Sequence, residues 1–150
     1  MIPVSPFRWR RRIGMRDVDA WGIVWHGNYF GFCDEARAEL MRAFGLTPAT
    51  FATHGWLAPL IDAHCRFLTP ARYDDEIDVI VRFRMGRSTR MHFDFTIVRT
   101  GEDKRIAEIS TTQVLVKTSG ELIYLIPDDL KRTLDQITAA QATEPGDTHP

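Results

Sequence analysis

Cysteine is scarce in this sequence. Cys33 and Cys65 are the only two in 150 residues, and no Cys-x-x-Cys pair occurs. A disulfide framework is therefore not expected, and two packed or free thiols fit a reducing compartment. Long hydrophobic runs are missing too: no stretch approaches the roughly 20 apolar residues of a membrane helix, and the N-terminal region lacks a signal-peptide core. A cytoplasmic chain without a membrane span is expected. Charge of one sign is also lacking, with a formal net charge of −1, so nothing global argues for a nucleic-acid partner. The five histidines, His26, His54, His64, His92 and His149, form no His-x-x-x-His or His-Glu-x-x-His pair. No metal site is expected. Neither a Gly-x-Ser-x-Gly elbow nor a phosphate-binding Walker loop is present.

What is present is an ordinary soluble composition, 44% hydrophobic and 26% charged, long enough for one domain with a real core. Residues 4–13 read as a strand, with Arg8, Arg10, Arg11 and Arg12 on its solvent side. Residues 14–27 read as a loop. Asn28 is predicted to cap a helix. Tyr29, Phe32, Cys33, Ala36, Leu40, Met41 and Phe44 then recur at helical spacing over a wide arc, so this is the buried central helix. Gly45, Leu46 and Pro48 mark its end.

A short turn is expected within 48–53, then one strand over 56–67 with Pro59 at a bulge or edge. Residues 76–85 alternate cleanly, with Ile77, Val79, Val81, Phe83 and Met85 on one face. Residues 91–97 alternate likewise. A long strand over 105–117, a short one over 121–126 and a helix from Pro127 to about Ile137 follow. Residues 138–150 read as a disordered tail. The predicted class is α+β: one domain over 1–137, with about five antiparallel strands wrapped around one long helix. The sheet's remaining face and edges call for self-association, as a homodimer or homotetramer.

The densest chemistry lies in residues 15–37. Asp17 and Asp19 sit in a turn-prone loop between Gly14 and Gly22, just ahead of His26, Gly27 and the helix. A helix start offers unpaired N–H groups and a positive dipole end, which can hold a developing oxyanion. A carboxylate nearby can attack a carbonyl or activate water. Aspartates beside glycines also serve as plain turn and capping residues, and spacing alone leaves both roles open. Cys33 reads as packing, and His64 and His92 as structural strand residues. The turn Arg87-Ser88-Thr89-Arg90, preceded by Arg82 and Arg84, is either a solvated hairpin end or a phosphate seat.

The run Asp17-Val18-Asp19-Ala20-Trp21-Gly22-Ile23-Val24-Trp25-His26-Gly27-Asn28-Tyr29-Phe30, followed by Glu35-Ala36-Arg37, resembles the hotdog-fold acyl-CoA thioesterases. It is most similar to the 4-hydroxybenzoyl-CoA thioesterase branch and its Tol–Pal-associated relatives. Every fixed position of their Asp-x-Asp-x-x-Gly-x-Val-x-x-x-x-Tyr pattern is met. Pro70-Ala71-Arg72-Tyr73-Asp74-Asp75 resembles the family's Pro-x-Arg-x-x-Asp turn, and Gly86-Arg87-Ser88-Thr89 resembles its Gly-x-Ser-[Ser/Thr] turn. The resemblance covers about residues 5 to 135.

It implies a thioester hydrolase with no cofactor beyond the CoA of its substrate. Asp19 would be nucleophile or general base, the backbone N–H of His26 the oxyanion donor, and Tyr29 a wall of the acyl pocket. The His26 side chain could orient substrate or water. Asp17 would hold the loop, and Glu35 is the reserve acid. The resemblance also implies a site built across a dimer, with Arg87, Ser88, Thr89 and Arg90 seating CoA phosphates. Trp21 and Trp25 add bulk beside the motif, and Met91, Phe93 and Phe95 suit an aryl or medium acyl chain. A thiolate leaves readily, so one carboxylate and one oxyanion donor suffice. An acyl-carrier-protein thioesterase is the nearest alternative. A hotdog hydratase or dehydratase is less consistent, because Asp19 and His26 stand seven apart. A non-catalytic acyl binder gains nothing from a buried carboxylate beside a thioester.

Overall fold

The computed structural model of the chain describes residues 6–141. Strand β1 (Phe7–Arg12) leads through a one-turn 3-10 helix (Met15–Asp17) and a loop to α1 (Asn28–Ala43) and α2 (Pro48–His54). There follow β2 (Trp56–Leu57), β3 (Leu60–Phe67), β4 (Glu76–Met85), β5 (Met91–Arg99), β6 (Arg105–Gln113), β7 (Val116–Lys117) and α3 (Asp128–Gln141). Five strands form one antiparallel sheet in the order β1-β4-β5-β6-β3, and β2 pairs with β7 in a small second sheet. One long helix packed on one curved antiparallel sheet is the expected hotdog arrangement.

The alternation of β4 and β5 decides which face receives the helix. Ile77, Val79, Val81 and Phe83 on β4, and Met91, Phe93, Phe95 and Ile97 on β5, are all buried. They meet Tyr29, Phe32, Cys33, Ala36 and Leu40 of α1, which are spaced to share one helical stripe. Truncating Leu40 in this core to Ala would cost about 2–5 kcal/mol. The end of α1 is a Schellman closure. Gly45 takes φ +77°, its N–H donates to Arg42 O, and the Leu46 N–H donates to Met41 O. Leu46 is buried.

Several boundaries differ from the sequence reading. Asn28 is the first helical residue and Gly27 the cap; the Asn28 side chain instead donates to Asp17 O at 2.8 Å. The single strand expected over 56–67 is two, because Ala58 and Pro59 carry the chain from the small sheet to the large one. Their carbonyls accept from the Gln113 side chain and the Val114 N–H. The strand expected over 105–117 breaks at the same level, where Leu115 turns into the core and its N–H donates to the Thr89 hydroxyl. Residues 121–126 form no strand. One bridge joins Leu122 to Val116, and the carbonyls of Ile123 and Tyr124 accept from the Thr89 and Ser88 hydroxyls.

The last helix passes Ile137 because it still has work at the sheet edge. Leu130, Leu134 and Ile137 are buried, and the Gln141 carboxamide oxygen accepts from the Phe83 N–H, beyond the end of β1. Residues 138–141, expected in the tail, are therefore helical; the rest of that tail lies outside the described residues.

Candidate active site

The loop ahead of α1 is a small hairpin. Val18 bridges to Val24, the Asp19 N–H donates to Ile23 O, and the Gly22 N–H donates to Asp19 O. Gly22 at φ +75° completes the turn, a conformation that a Cβ disfavours. One carboxylate oxygen of Asp19 accepts the Trp21 N–H at 2.8 Å, an Asx turn. Its other oxygen has no partner among the described residues.

Asp17 is committed differently. Its Oδ2 accepts from the Arg11 guanidinium and the Gly14 N–H, both at 2.7 Å. Its carbonyl accepts from the Trp25 N–H and the Asn28 side chain. Asp17 therefore fastens the loop to β1 on one side and to the helix start on the other.

The helix start is left partly unpaired. The N–H of Asn28 donates to Trp25 O, while the N–H of His26 has no acceptor among the described residues. It stands at the dipole-positive end of a 16-residue helix, where an anion is favoured. Beside it is a cavity of about 280 Å³ lined by Ile23, Val24, His26, Tyr29, Phe67 and Leu68, with Thr69 and Pro70.

The walls of that cavity are held rigidly. Tyr29 is buried, its ring 5.7 Å from Phe67, and its hydroxyl accepts the Ala71 N–H at 3.2 Å. Burial pushes its phenol up, partly offset by the Ala71 contact, so it stays neutral. The exposed imidazole of His26 lies 5.0 Å from the Trp25 ring and edge-on to Phe67.

The other predicted residues lie apart. Glu35 is exposed and pairs with Arg11 at 3.9 Å; no contact joins it to Asp19 or His26 among the described residues. Thr89 is only 2% exposed, with its hydroxyl between Ile123 O and the Leu115 N–H. Ser88 donates to Tyr124 O. Both hydroxyls pin the 115–124 segment. Arg87 and Arg90 are exposed and unpaired among the described residues. Burial drives the Cys33 thiol far up, consistent with packing.

Arg11 escaped the sequence reading, which put it on the solvent side. It is an inward position of β1 and stacks over the Phe32 ring at 4.4 Å. Strict alternation from Phe7 and Trp9 carries that signal. Phe67 and Leu68 also line the cavity without having been singled out, because strand residues carry no catalytic signature.

Residues 13–134 match the family model described as the thioesterase-like superfamily. The chain is 27% identical over 128 residues to a 1,4-dihydroxy-2-naphthoyl-CoA hydrolase of Thermosynechococcus vestitus, covering 84% of this chain and 87% of that one. It is 28% identical over 92 residues to an acyl-CoA thioester hydrolase of Escherichia coli O157:H7, covering 61% and 69%. A solved structure of a hypothetical protein from Aquifex aeolicus superposes with TM-score 0.79 at 31% identity, over 86% of this chain and 99% of that one. With residues 13–134 matched and the fold shared, the chain belongs to the thioesterase-like superfamily of hotdog proteins.

Proposed function

We propose that this protein is an acyl-CoA thioesterase, with Asp19 as its catalytic carboxylate and the His26 N–H as its oxyanion donor. Family membership makes thioester hydrolysis the reaction class. The unpaired N–H of His26, a residue that lines the cavity with Tyr29 and Phe67 at the start of α1, carries the assignment. A thioester carbonyl set there would develop its negative charge against that donor. Asp19 either attacks the carbonyl carbon or takes a proton from the attacking water. With water as the attacking group, the tetrahedral intermediate collapses with departure of CoA thiolate, which takes up the proton from Asp19, and the acyl group leaves as the free acid; with Asp19 as the attacking group, departure of the thiolate leaves an acyl–Asp19 anhydride, which a water molecule then hydrolyses to the free acid and the regenerated carboxylate.

The working unit in this reading is a homodimer. β3 is an edge strand of eight residues with exposed Leu60, Ile61 and Phe67, and exposed Leu68 follows it; such an edge pairs readily with a second copy. A two-fold axis near the middle of β3 would set the Phe67 end of one copy against the Leu60 end of the other. The partner's Leu57 and Ala58 would then close the open side of the cavity. Arg87 and Arg90 stand at the Met91–Gln113 end of the sheet, about 25 Å along β3 from their own helix start. In the dimer they would serve as CoA phosphate contacts for the other copy's site.

Thiol release from short, medium and aryl acyl-CoAs, and from carrier-bound acyl groups, tests the reading on the native chain and Asp19→Asn. Release that falls about a hundredfold or more in the variant supports it. No release from any substrate overturns the enzyme. Release that survives the substitution moves the role to another acid, with Glu35 next.

A further inference from the structure

Three polar side chains on β3, Asp62, His64 and Arg66, are exposed and make no hydrogen bond or ion pair among the described residues. They share the outer face of the sheet, because Ala63 and Cys65 between them pair with Thr111 and Ile109, which are buried on the core side. Their neighbours on β6 are engaged elsewhere. Thr112, opposite Asp62, bonds His92, and Ser110, opposite His64, donates to Asp94. Glu108, opposite Arg66, accepts from Arg105 at 2.6 Å. The other side of β3 is an open sheet edge. Charges on such an edge usually repel a second copy. Here the order is acid, histidine, base at every second position, and that order complements itself when the strand is turned end for end.

We propose that this edge pairs with a second copy in one register, with the two-fold axis through His64. The inference rests on the homodimer of the proposed function and adds which residues meet. Opposed residues of an antiparallel pair share a face, so an axis normal to the sheet passes through a residue position. Through His64, Asp62 of each copy opposes Arg66 of the other, and Ala63 opposes Cys65. Through Ala63, Arg66 would meet Leu60, and Phe67 would meet Pro59, which has no N–H for a ladder. Through Cys65, Arg66 would meet His64, and Asp62 would meet Leu68. Only the axis through His64 gives both Asp62 and Arg66 an opposite charge. It also brings position 61 of one copy opposite Phe67 of the other, a wall of the cavity at the helix start. The second copy is thereby set against the acyl pocket.

Sedimentation of the full chain tests the ion pairs. Asp62→Arg and Arg66→Asp each set like charges against one another twice, and each should raise the dimer dissociation constant about tenfold or more. The double variant restores opposite charges and should dimerise like the native chain. An equimolar mixture of the two single variants should form a heterodimer tighter than either homodimer. Cross-linking reads the axis. His64→Cys with Cys65→Ser should give a disulfide-linked dimer on mild oxidation, because position 64 opposes itself within disulfide reach. Ala63→Cys with Cys65→Ser should not, since position 63 then lies diagonally from itself, about 7–8 Å away. Cys33 is buried and takes no part. Single variants that associate like the native chain, or a cross-link through position 63 and not 64, overturn the proposal. So does a native chain that sediments as a monomer, and if that monomer hydrolyses thioesters the enzyme reading stands without it. A dimer that behaves as expected but hydrolyses no thioester would support the surface and overturn the thioesterase reading instead.

Discussion

The indole of Trp25 lies directly on the Cα of Gly27: a Cβ there would stand 2.3 Å from ring carbon Cζ3. Gly27 has ordinary helical angles, φ −68° and ψ −23°, so the constraint is contact and not backbone freedom. Trp25 and Gly27 flank His26, whose N–H is the proposed oxyanion donor. Gly27→Ala must move the ring or the helix start. Hydrolysis is expected to fall about a hundredfold, the scale set by displacements near 1 Å in a catalytic geometry. The double variant Gly27→Ala with Trp25→Ala should recover much of the loss, because the obstacle is gone. Steady-state rates, with circular dichroism as a control for folding, check both.

Asp17 and Asp19 share a loop but should fail in different ways. Asp17→Ala removes an acceptor shared by Arg11 and the Gly14 N–H, and should lower stability by about 1–3 kcal/mol. Asp19→Asn keeps an oxygen for the Trp21 N–H, so thermal melting should hardly change. Hydrolysis should nonetheless fall about a hundredfold or more. A variant of Asp19 that melts early and hydrolyses normally would make it a turn residue only.

The sheet and the central helix could be read because their periodicities are strong. Ile77 to Phe83 and Met91 to Ile97 alternate without interruption, and the α1 stripe runs from Tyr29 to Leu40 with a glycine stop at Gly45. What could not be read depends on contacts between distant residues. Pro59 signalled an interruption, but the split into two sheets is set by the partners of Trp56 and Leu57, namely Val116 and Lys117. Residues 121–126 have strand composition, yet their carbonyls go to the Ser88 and Thr89 hydroxyls. Thr89 itself reads as a polar turn residue, and only the fold shows it buried. At the site, the motif marked the loop that carries Asp19 and the start of α1. The cavity walls Phe67 and Leu68 come from β3 and its end, where no local pattern distinguishes a lining residue from an edge residue.

Edge strand β3 gives a prediction on assembly. Ile61 is 52% exposed on an unpaired edge, where a charge discourages pairing with a second copy. Ile61→Lys should yield a monomer by light scattering, with melting lowered in proportion to the lost interface. Hydrolysis should be lost with it, since the proposed site needs Leu57 and Ala58 of the second copy. A folded Ile61→Lys monomer with native turnover would show that one copy holds the whole site.

On the outer face of the sheet, Asp78 gives a pH-dependent test of stability alone. It is 4% exposed and accepts from Arg10 Nε at 2.8 Å and from the Thr100 hydroxyl, with Arg8 at 3.6 Å. Burial by itself would push its carboxyl up; the Arg10 bond and charge, with Thr100 and Arg8, outweigh that and hold it below the usual range. A carboxyl depressed by folding stabilises the protein at every pH above its unfolded value, about 3.9. That contribution is lost as pH falls through the lower folded value. At pH 7 Asp78→Asn should therefore melt several degrees below the native chain. The gap should hold down to about pH 5 and then close through the acid range, because there the native carboxyl also protonates. Melting curves from pH 7 to 2.5 check it. A gap that stays constant down to pH 2.5 would mean that packing, and not charge, is what the substitution removes.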